Sequence, residues 1–327
     1  MLFSILLFTN RFDNIAKEQV TNSSSGNYDE FGFTIREKQE GTKSNELSSS
    51  QRDTDTNNFG DKITDNSGRK ILYNLVGKKI CNFGDSIFGQ ARPPVDVSTY
   101  LADYTGATVY NCGFGGCRMG YHSNENYDYF SMYRLADAIA NSKTQGASAW
   151  SAQETAAQAS GMPSYFAETV SMLKSIDFST VDIITISYGT NDFADGLRLG
   201  GSDSKSTDWS LSYSIQTILT AFPNVRIFVC VPFYRVWLSG GAFNEDSNTH
   251  QRTSDYGGGL VYKLTDFVQA EKDVCKSLQI PVLDTYYDLG INRYNWSKYI
   301  NNETNKAVHH NATGRELIAE YMASHMW

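Results

Sequence analysis

Short apolar runs alternate with longer amphipathic runs from about residue 70 to the end of the chain. The short runs are rich in β-branched and aromatic residues and predict strands at Lys79–Phe83, Thr108–Cys112, Asp182–Ser187, Arg226–Val231 and Pro281–Thr285. The longer runs predict helices at Val97–Tyr104, Tyr165–Ser175, Ser210–Ala221, Leu260–Leu278 and Gly314–His325. This alternation predicts an α/β fold with a mainly parallel, five-stranded sheet and helices on both faces. Ligands of such sheets bind where the strands end, so the residues after each strand are candidates for a site.

The first 70 residues differ from the rest of the chain. Ser, Thr, Asn, Gln and Gly dominate them, and no apolar period is sustained. The opening apolar run, Leu2–Phe8, is far shorter than the roughly 20 residues that span a bilayer. It also lacks the basic start and the cleavage site of a signal peptide, although a signal peptide stays an alternative to a short buried strand. We expect residues 1–70 to form a polar linker, stalk or attachment region, followed by one domain over residues 71–327.

Composition narrows the classes of function. The chain carries 28 basic and 36 acidic residues, a net charge of −8, which argues against a nucleic-acid partner. Five cysteines are an odd and sparse set without C-x-x-C spacing, so we expect buried free thiols rather than a disulfide framework or a zinc site. No stretch of the sequence is long and apolar enough to predict a transmembrane helix.

Polar residues that suit nucleophilic catalysis follow several predicted strands. The first strand ends in Gly84-Asp85-Ser86, a tight turn that would present a serine at the sheet edge. The second leads from Asn111 into a glycine-rich turn ending at Gly116, whose backbone N–H could approach a ligand oxygen. The third is followed by Gly189-Thr190-Asn191-Asp192, and His309 precedes the last helix. A histidine there can reach the serine across the sheet edge.

These four blocks, in this order, resemble those of the SGNH (GDSL) hydrolase superfamily over about residues 77–327. The lead-in to Ser86 also resembles SGNH domains of bacteria and of phage tail-associated proteins. The resemblance implies a flavodoxin-like α/β/α sandwich and ester hydrolysis without a metal or organic cofactor. It implies Ser86 as nucleophile, His309 as general base and then acid, and an oxyanion hole from the N–H groups of Ser86 and Gly116 and the side chain of Asn191.

The last block departs from the family pattern Asp-x-x-His, because Lys306 stands where the family has the aspartate. A Ser–His dyad or a relocated acid is therefore expected, and a non-catalytic binder stays an alternative. A backbone carbonyl could orient His309, and so could one of three acidic residues, Glu303, Asp284 or Asp288. His310 is a rival for the catalytic role, but the spacing to the following Asn311 and Gly314 favours His309.

Two insertions, near residues 120–163 and 233–259, are rich in aromatic residues and interrupt the minimal fold. Tyr234, Trp237 and Trp296 are candidates to stack on sugar rings at the mouth of the site, with packing onto the core as the alternative. We expect hydrolysis of short acyl (O-acetyl) esters on a carbohydrate. The alternatives are a lipase or small-ester hydrolase, and a glycan-binding appendage of a phage or surface particle. A secreted, cell-surface or virion-associated setting is favoured, and a homo-oligomer or attachment to a particle through residues 1–70 is compatible with the sequence.

Overall fold

The computed structural model describes residues 63–64, 70–71 and 73–326. The apolar run Leu2–Phe8 and nearly all of the polar segment lie outside the described residues, so their predicted roles stay predictions. Within the described part of the chain, every helix is too short or too polar to cross a bilayer. The five cysteines, all in that part, are buried free thiols, as expected.

The strands of the described residues are, in chain order, β1 (Ile63–Thr64), β2 (Lys70–Ile71), β3 (Lys79–Gly84), β4 (Thr108–Gly113), β5 (Ile183–Ser187), β6 (Arg226–Cys230), β7 (Val236–Ser239), β8 (Ala242–Asp246), β9 (Arg252–Thr253), β10 (Val261–Tyr262), β11 (Val282–Leu283) and β12 (Lys306–Ala307). The helices are α1 (Ser86–Gly89), α2 (Val97–Thr105), α3 (Glu125–Asp128), α4 (Met132–Gln145), α5 (Ser151–Ala157), α6 (Ser164–Ser175), α7 (Thr190–Ala194), α8 (Thr207–Ala221), α9 (Leu264–Leu278), α10 (Trp296–Tyr299) and α11 (Ala312–His325).

The central sheet contains five strands in the order β11-β6-β5-β3-β4. All of its pairings are parallel. Counted along the chain, this is the order 2-1-3-4-5 of the flavodoxin-like folds, and it reverses between β3 and β5. Because ligands of open α/β sheets bind at such a reversal, the expected site lies after β3 and β5.

Alternating side chains of β3 face opposite sides of the sheet. Cys81 and Phe83 belong to one core, which packs under α4, α6 and α8. Ile80 belongs to the other core, under α2 and α11. The fold is therefore an α/β/α sandwich with a parallel five-stranded sheet, and this confirms the predicted fold class.

The five predicted sheet strands and five predicted helices all form, with ends shifted by a few residues. The largest shift is at Leu260–Leu278, where the helix begins only at Leu264 because Val261 and Tyr262 pair with β9. The first insertion is largely helical and contains α3, α4 and α5. The second contains a β7–β8 hairpin, to which β12 adds an antiparallel third strand.

Candidate active site

Ser86 stands at the end of β3, as its position in the sequence predicts. The Ile87 N–H donates to Oδ1 of the preceding Asp85 (2.9 Å), so this aspartate caps α1. Ser86 is the first residue of α1, and its N–H has no acceptor within that helix. The Asn111 side chain donates to the carbonyl of Phe88 (2.9 Å) and ties this short helix to β4. The serine is thus held with its backbone N–H free at the sheet edge.

Ser86, His309 and Glu303 form a hydrogen-bonded chain. Ser86 Oγ lies 2.9 Å from His309 Nε2, and His309 Nδ1 lies 2.5 Å from Glu303 Oε1. The side chains of His309 and Glu303 are 27% and 25% exposed, so solvent reaches them. With its proton on Nδ1, the imidazole presents a free Nε2 lone pair to the serine hydroxyl, as nucleophilic catalysis by serine requires.

A small antiparallel sheet supports Glu303 and His309. Their segment contains β12, which pairs with β7 so that Lys306 lies opposite Trp237. The Glu303 N–H donates to the Lys306 carbonyl (3.0 Å), which closes a turn directly before β12. The Asn302 side chain donates to the carbonyl of Gly241 (3.3 Å) at the tip of the hairpin. The second insertion therefore holds Glu303 and His309 in place.

The structure distinguishes among the acids that could orient His309. Lys306, in the position of the family aspartate, is exposed. Asp284 forms an ion pair with Lys272, and Asp288 accepts a hydrogen bond from the Tyr321 hydroxyl (2.9 Å). Glu303 is the one of the three that contacts His309, and it stands six residues before the histidine, whereas the family aspartate stands three before it.

His310, the rival histidine, points away from Ser86. It is buried, and its ring meets Phe233 edge to face at 5.2 Å. Burial, with smaller contributions from the charges of His309 and Arg315, lowers the pKa of His310 to about 3. It is therefore a neutral core residue at physiological pH.

The turn after β4 presents the Gly116 N–H. The Cys117 N–H donates to the Phe114 carbonyl (3.2 Å), and Gly116 has φ of +81°. This is the pattern of a type II turn, which requires a positive φ at its third residue and so favours glycine there. The Gly116 N–H forms no hydrogen bond with a described residue and is free to bind a ligand.

The segment that contains Asn191, which follows β5, holds this turn from the far side of β3. Asn191 Nδ2 donates to the Cys117 carbonyl (2.9 Å) and keeps a second N–H free. The Asp192 carboxylate accepts from the N–H groups of Met119 (2.9 Å) and Gly120 (3.0 Å). Burial raises the pKa of Asp192 above its ordinary value, and these two hydrogen bonds offset part of that rise. Asp85 and Asp192 thus hold local turns through hydrogen bonds to backbone N–H groups.

Buried titratable side chains lie beneath the site. Burial raises the pKa of Asp85 to about 7 and raises that of Glu271 well above its usual range. Glu271 packs under the Gly189 turn with no hydrogen-bond partner among the described residues. Arg235 Nη1 donates to Thr190 Oγ1 (3.1 Å), and burial lowers its pKa to about 10, so it stays charged. Neither Glu271 nor Arg235 belongs to a sequence motif. Their contacts form only when distant segments of the chain fold together, so the sequence alone gives no signal for them.

Two of the three aromatic candidates for sugar stacking lie in the core, which corrects that expectation. Tyr234 is 3% exposed, and its hydroxyl donates to Asp246 (2.9 Å). Trp296 is 8% exposed and packs in the core. Trp237 is half-buried and stacks on His250 at 3.9 Å between ring centroids, with Arg235 against its ring as well. Tyr234 and Trp296 pack inward because aromatic side chains bury a large apolar area.

The fold and the site geometry define a class of α/β enzymes with a serine at the carboxyl edge of a parallel sheet. The model of the GDSL-like lipase/acylhydrolase family matches residues 58–322, and the chain belongs to this family. It is accordingly a carboxylic ester hydrolase.

Several solved structures are similar to this chain at low sequence identity. One crystal structure is 20% identical, with a TM-score of 0.50 over 76% of this chain and 95% of the other. A protein from Lactobacillus plantarum is 18% identical, with a TM-score of 0.49 over 76% and 96% of the two chains. A lipase/acylhydrolase from Enterococcus faecalis is 14% identical, with a TM-score of 0.40 over 76% and 94%. No curated protein matches the sequence.

Proposed function

We propose that the protein is a serine esterase that removes short acyl groups, acetyl above all, from a carbohydrate. The observation that carries this proposal is the chain from Ser86 through His309 to Glu303, with contacts of 2.9 and 2.5 Å. Such a chain can raise the nucleophilicity of a serine hydroxyl by removing its proton as the oxygen attacks. The contact between Glu303 and His309 argues against a non-catalytic binder, because it restores the acid that Lys306 displaces.

In the first half of the reaction, Ser86 Oγ attacks the acyl carbon and its proton passes to His309 Nε2. Three donors, the N–H groups of Ser86 and Gly116 and the Asn191 amide, bind the negative oxygen of the tetrahedral intermediate. The intermediate then collapses, the bond from carbon to the alcohol oxygen breaks, and His309 returns the proton to the departing sugar hydroxyl. The acyl group remains as an ester of Ser86.

In the second half, water replaces the alcohol. His309 Nε2 removes a proton from the water as its oxygen attacks the acyl carbon, and the same donors bind the second tetrahedral intermediate. Collapse releases the carboxylic acid and returns the proton to Ser86 Oγ. Throughout, Glu303 holds the imidazole with Nδ1 protonated and stabilises its positive charge in the intermediates.

Support for a carbohydrate substrate comes from a cluster of half-buried rings after β4 and around the neighbouring loops. Tyr121 and Tyr256 meet edge to face at 6.1 Å between centroids. Lys205 Nζ lies 5.6 Å from the first ring and 5.3 Å from the second. Tyr121 follows the Gly116 turn by five residues and so belongs to the carboxyl edge of the sheet. Aromatic rings beside a polar group suit the faces and hydroxyls of a sugar better than an aliphatic chain.

The test is hydrolysis of p-nitrophenyl acetate, butyrate and octanoate by the full chain. We expect the highest kcat/KM on the acetate and a loss of about 10⁶-fold in kcat for Ser86→Ala. Ser151→Ala, which changes an exposed serine on α5, is the matched control and should retain full activity. A preference for octanoate would favour the lipase alternative, and no turnover of any ester would contradict the proposal.

A second assay addresses the sugar. We expect the protein to release acetate from acetylated xylan or acetylated glucose, and Ser86→Ala to abolish this release. Tributyrin, a triglyceride, serves as the comparison substrate. Faster hydrolysis of tributyrin than of every acetylated sugar would contradict the carbohydrate part of the proposal while leaving the esterase part intact.

A further inference from the structure

Tyr165 contacts the turn after β4 through its hydroxyl. The Gly115 N–H donates to Tyr165 Oη at 2.8 Å. Tyr165 is the second residue of α6 and lies outside the four sequence blocks that define the family resemblance. Its hydroxyl is therefore an additional polar group beside the proposed oxyanion hole.

The same hydroxyl lies close to the nucleophile. A Cβ atom placed on Gly115 would stand 2.6 Å from Tyr165 Oη and 3.5 Å from Ser86 Cβ. A side chain at this position would collide with the tyrosine oxygen unless Tyr165 moved. The absence of a side chain lets Tyr165 approach the backbone of the turn next to Ser86.

Tyr165 is itself held firmly. The guanidinium of Arg92 lies over its ring, 4.2 Å from the centroid. Arg92 Nη2 also donates to Thr169 Oγ1 (2.9 Å), one helical turn further along α6. Burial raises the pKa of Tyr165 to about 12, so the hydroxyl is neutral at physiological pH and can accept the bond from Gly115.

The turn needs such a support because two adjacent glycines form its centre. Type I and type II turns differ by a flip of the central peptide, here the bond from Gly115 to Gly116. Glycine opposes this flip less than any other residue. In the type II form the Gly116 N–H takes the orientation seen in the structure, and the flip would turn it around.

We propose that Tyr165 is a positioning residue that keeps the Gly116 N–H directed into the oxyanion hole. It fixes the peptide on the N-terminal side of the Gly115–Gly116 bond, whereas Asn191 fixes the Cys117 carbonyl on the other side. The inference rests on the proposed esterase function, since only a developing oxyanion needs this N–H. The oxyanion donors thus include one that depends on a side chain from α6.

The test compares Tyr165→Phe with the wild-type chain on p-nitrophenyl acetate. We expect kcat to fall by about 10- to 100-fold. A misplaced donor can lower kcat by nearly as much as the removal of that donor. KM should stay within about twofold and the pH profile should not move, since Ser86, His309 and Glu303 are untouched. A tyrosine that only stabilised the fold would lower the melting temperature and leave kcat of the folded protein unchanged.

Tyr127→Phe is the matched control. Tyr127 packs beside the same turn, 3.3 Å from the position of a Cβ on Gly116, but through a ring carbon. Its hydroxyl forms no hydrogen bond with a described residue, so this variant should keep wild-type kcat and KM. Equal kcat for Tyr165→Phe, Tyr127→Phe and the wild type would overturn the inference, and so would a rise in KM with kcat unchanged.

Amide hydrogen exchange of Gly115 gives a second measurement, and its first part uses the wild-type protein alone. Strong protection is expected, with faster exchange in Tyr165→Phe, and rapid exchange in the wild type would overturn the inference. Failure of the esterase proposal looks different: wild type and Ser86→Ala would then be equally inactive, and both ideas would fall together. An active wild type with a fully active Tyr165→Phe would remove the inference alone.

Discussion

The two halves of the candidate active site are built in different ways. Ser86, Gly116 and Asn191 follow three adjacent parallel strands of the central sheet, and each lies within a few residues of a strand end. Glu303 and His309 flank a two-residue strand of a separate antiparallel sheet, which the second insertion supplies. One half is fixed by the sheet that defines the fold, and the other by a hairpin added to it.

This difference explains how the acid could change position. In the sheet half, each donor lies in a turn or a first helical turn that closely follows a strand of the central sheet, so the position of the donor is fixed by that strand. In the hairpin half, the turn from Glu303 to Lys306 places a carboxylate beside His309 although it is six residues away in sequence. The added sheet can therefore accept a relocated acid as long as its pairing with β7 holds.

The largest effect in the hairpin half is expected for Glu303→Gln. The amide cannot stabilise a charged imidazolium and can favour the wrong tautomer of His309, so kcat should fall by about 10⁴-fold. Steady-state kinetics on p-nitrophenyl acetate measures this loss.

The chain provides a matched control for that variant. Glu245 also contacts a histidine, with Oε2 lying 2.6 Å from His250 Nδ1, and it lies in the same small sheet. Glu245→Gln removes an equivalent carboxylate without touching His309 and should change kcat by less than about twofold. Equal effects of the two variants would mean that Glu303 acts only through the stability of the hairpin.

In the sheet half, Asp85→Asn should change how stability depends on pH. Burial raises the pKa of Asp85 to about 7 from its ordinary value of 3.8, so the unfolded chain ionises first as the pH rises. The wild-type free energy of unfolding should therefore drop between about pH 4 and 7 relative to the variant, by about 4 kcal/mol. Urea unfolding at pH 4 and pH 8 measures the difference. A constant difference between the two proteins would contradict a buried, mainly neutral Asp85.

Asn191→Ala should lower kcat by about 10²- to 10³-fold, the usual cost of one oxyanion donor. It also removes the bond to the Cys117 carbonyl, so the Gly116 turn loses one of its supports. Asn224→Ala, at an exposed position before β6, is the control and should have wild-type activity. An increase in KM with kcat unchanged would show that Asn191 binds the substrate and gives no additional stabilisation to the transition state.

The smallest effect is expected at the tip of the hairpin. Gly240 has φ of +58° in open space, and Gly161, in the first insertion, has φ of +85° in open space. Alanine at either position should cost about 1–2 kcal/mol of stability, because a Cβ disfavours this conformation. Only Gly240→Ala should also lower kcat, by several-fold, since it strains the turn that the Asn302 side chain contacts. Thermal unfolding and kinetics of both variants separate the two effects.

The sequence predicted the sheet half well because its signals are local. Strand periodicity placed the five central strands, and Gly84-Asp85-Ser86 and Asn191 follow strand ends directly. The Gly116 turn also had a local signal, since a positive φ favours glycine. The assignment of catalytic roles to these residues stays a prediction that the kinetics above must test.

The hairpin half was less predictable because it depends on contacts between distant segments. Pairing of β12 with β7 joins residues about 70 positions apart, and the two-residue strand has no periodicity to detect. Glu303 was one of several acids that the sequence left open. The glycine pair Gly240-Gly241, in which both residues have a positive φ, is a local signal for a hairpin turn. Burial of Tyr234 and Trp296 had no such signal, since an aromatic residue in a loop is equally compatible with a surface and a core position.

Labelling of the nucleophile tests the central claim, that Ser86 is activated by His309 and Glu303, most directly. The full chain is incubated with a fluorophosphonate that reacts with activated serines, and the modified peptide is identified by mass spectrometry. We expect a single label on Ser86, absent in Ser86→Ala and formed much more slowly in Glu303→Gln. No label on the wild-type protein, or a label on another residue, would contradict it.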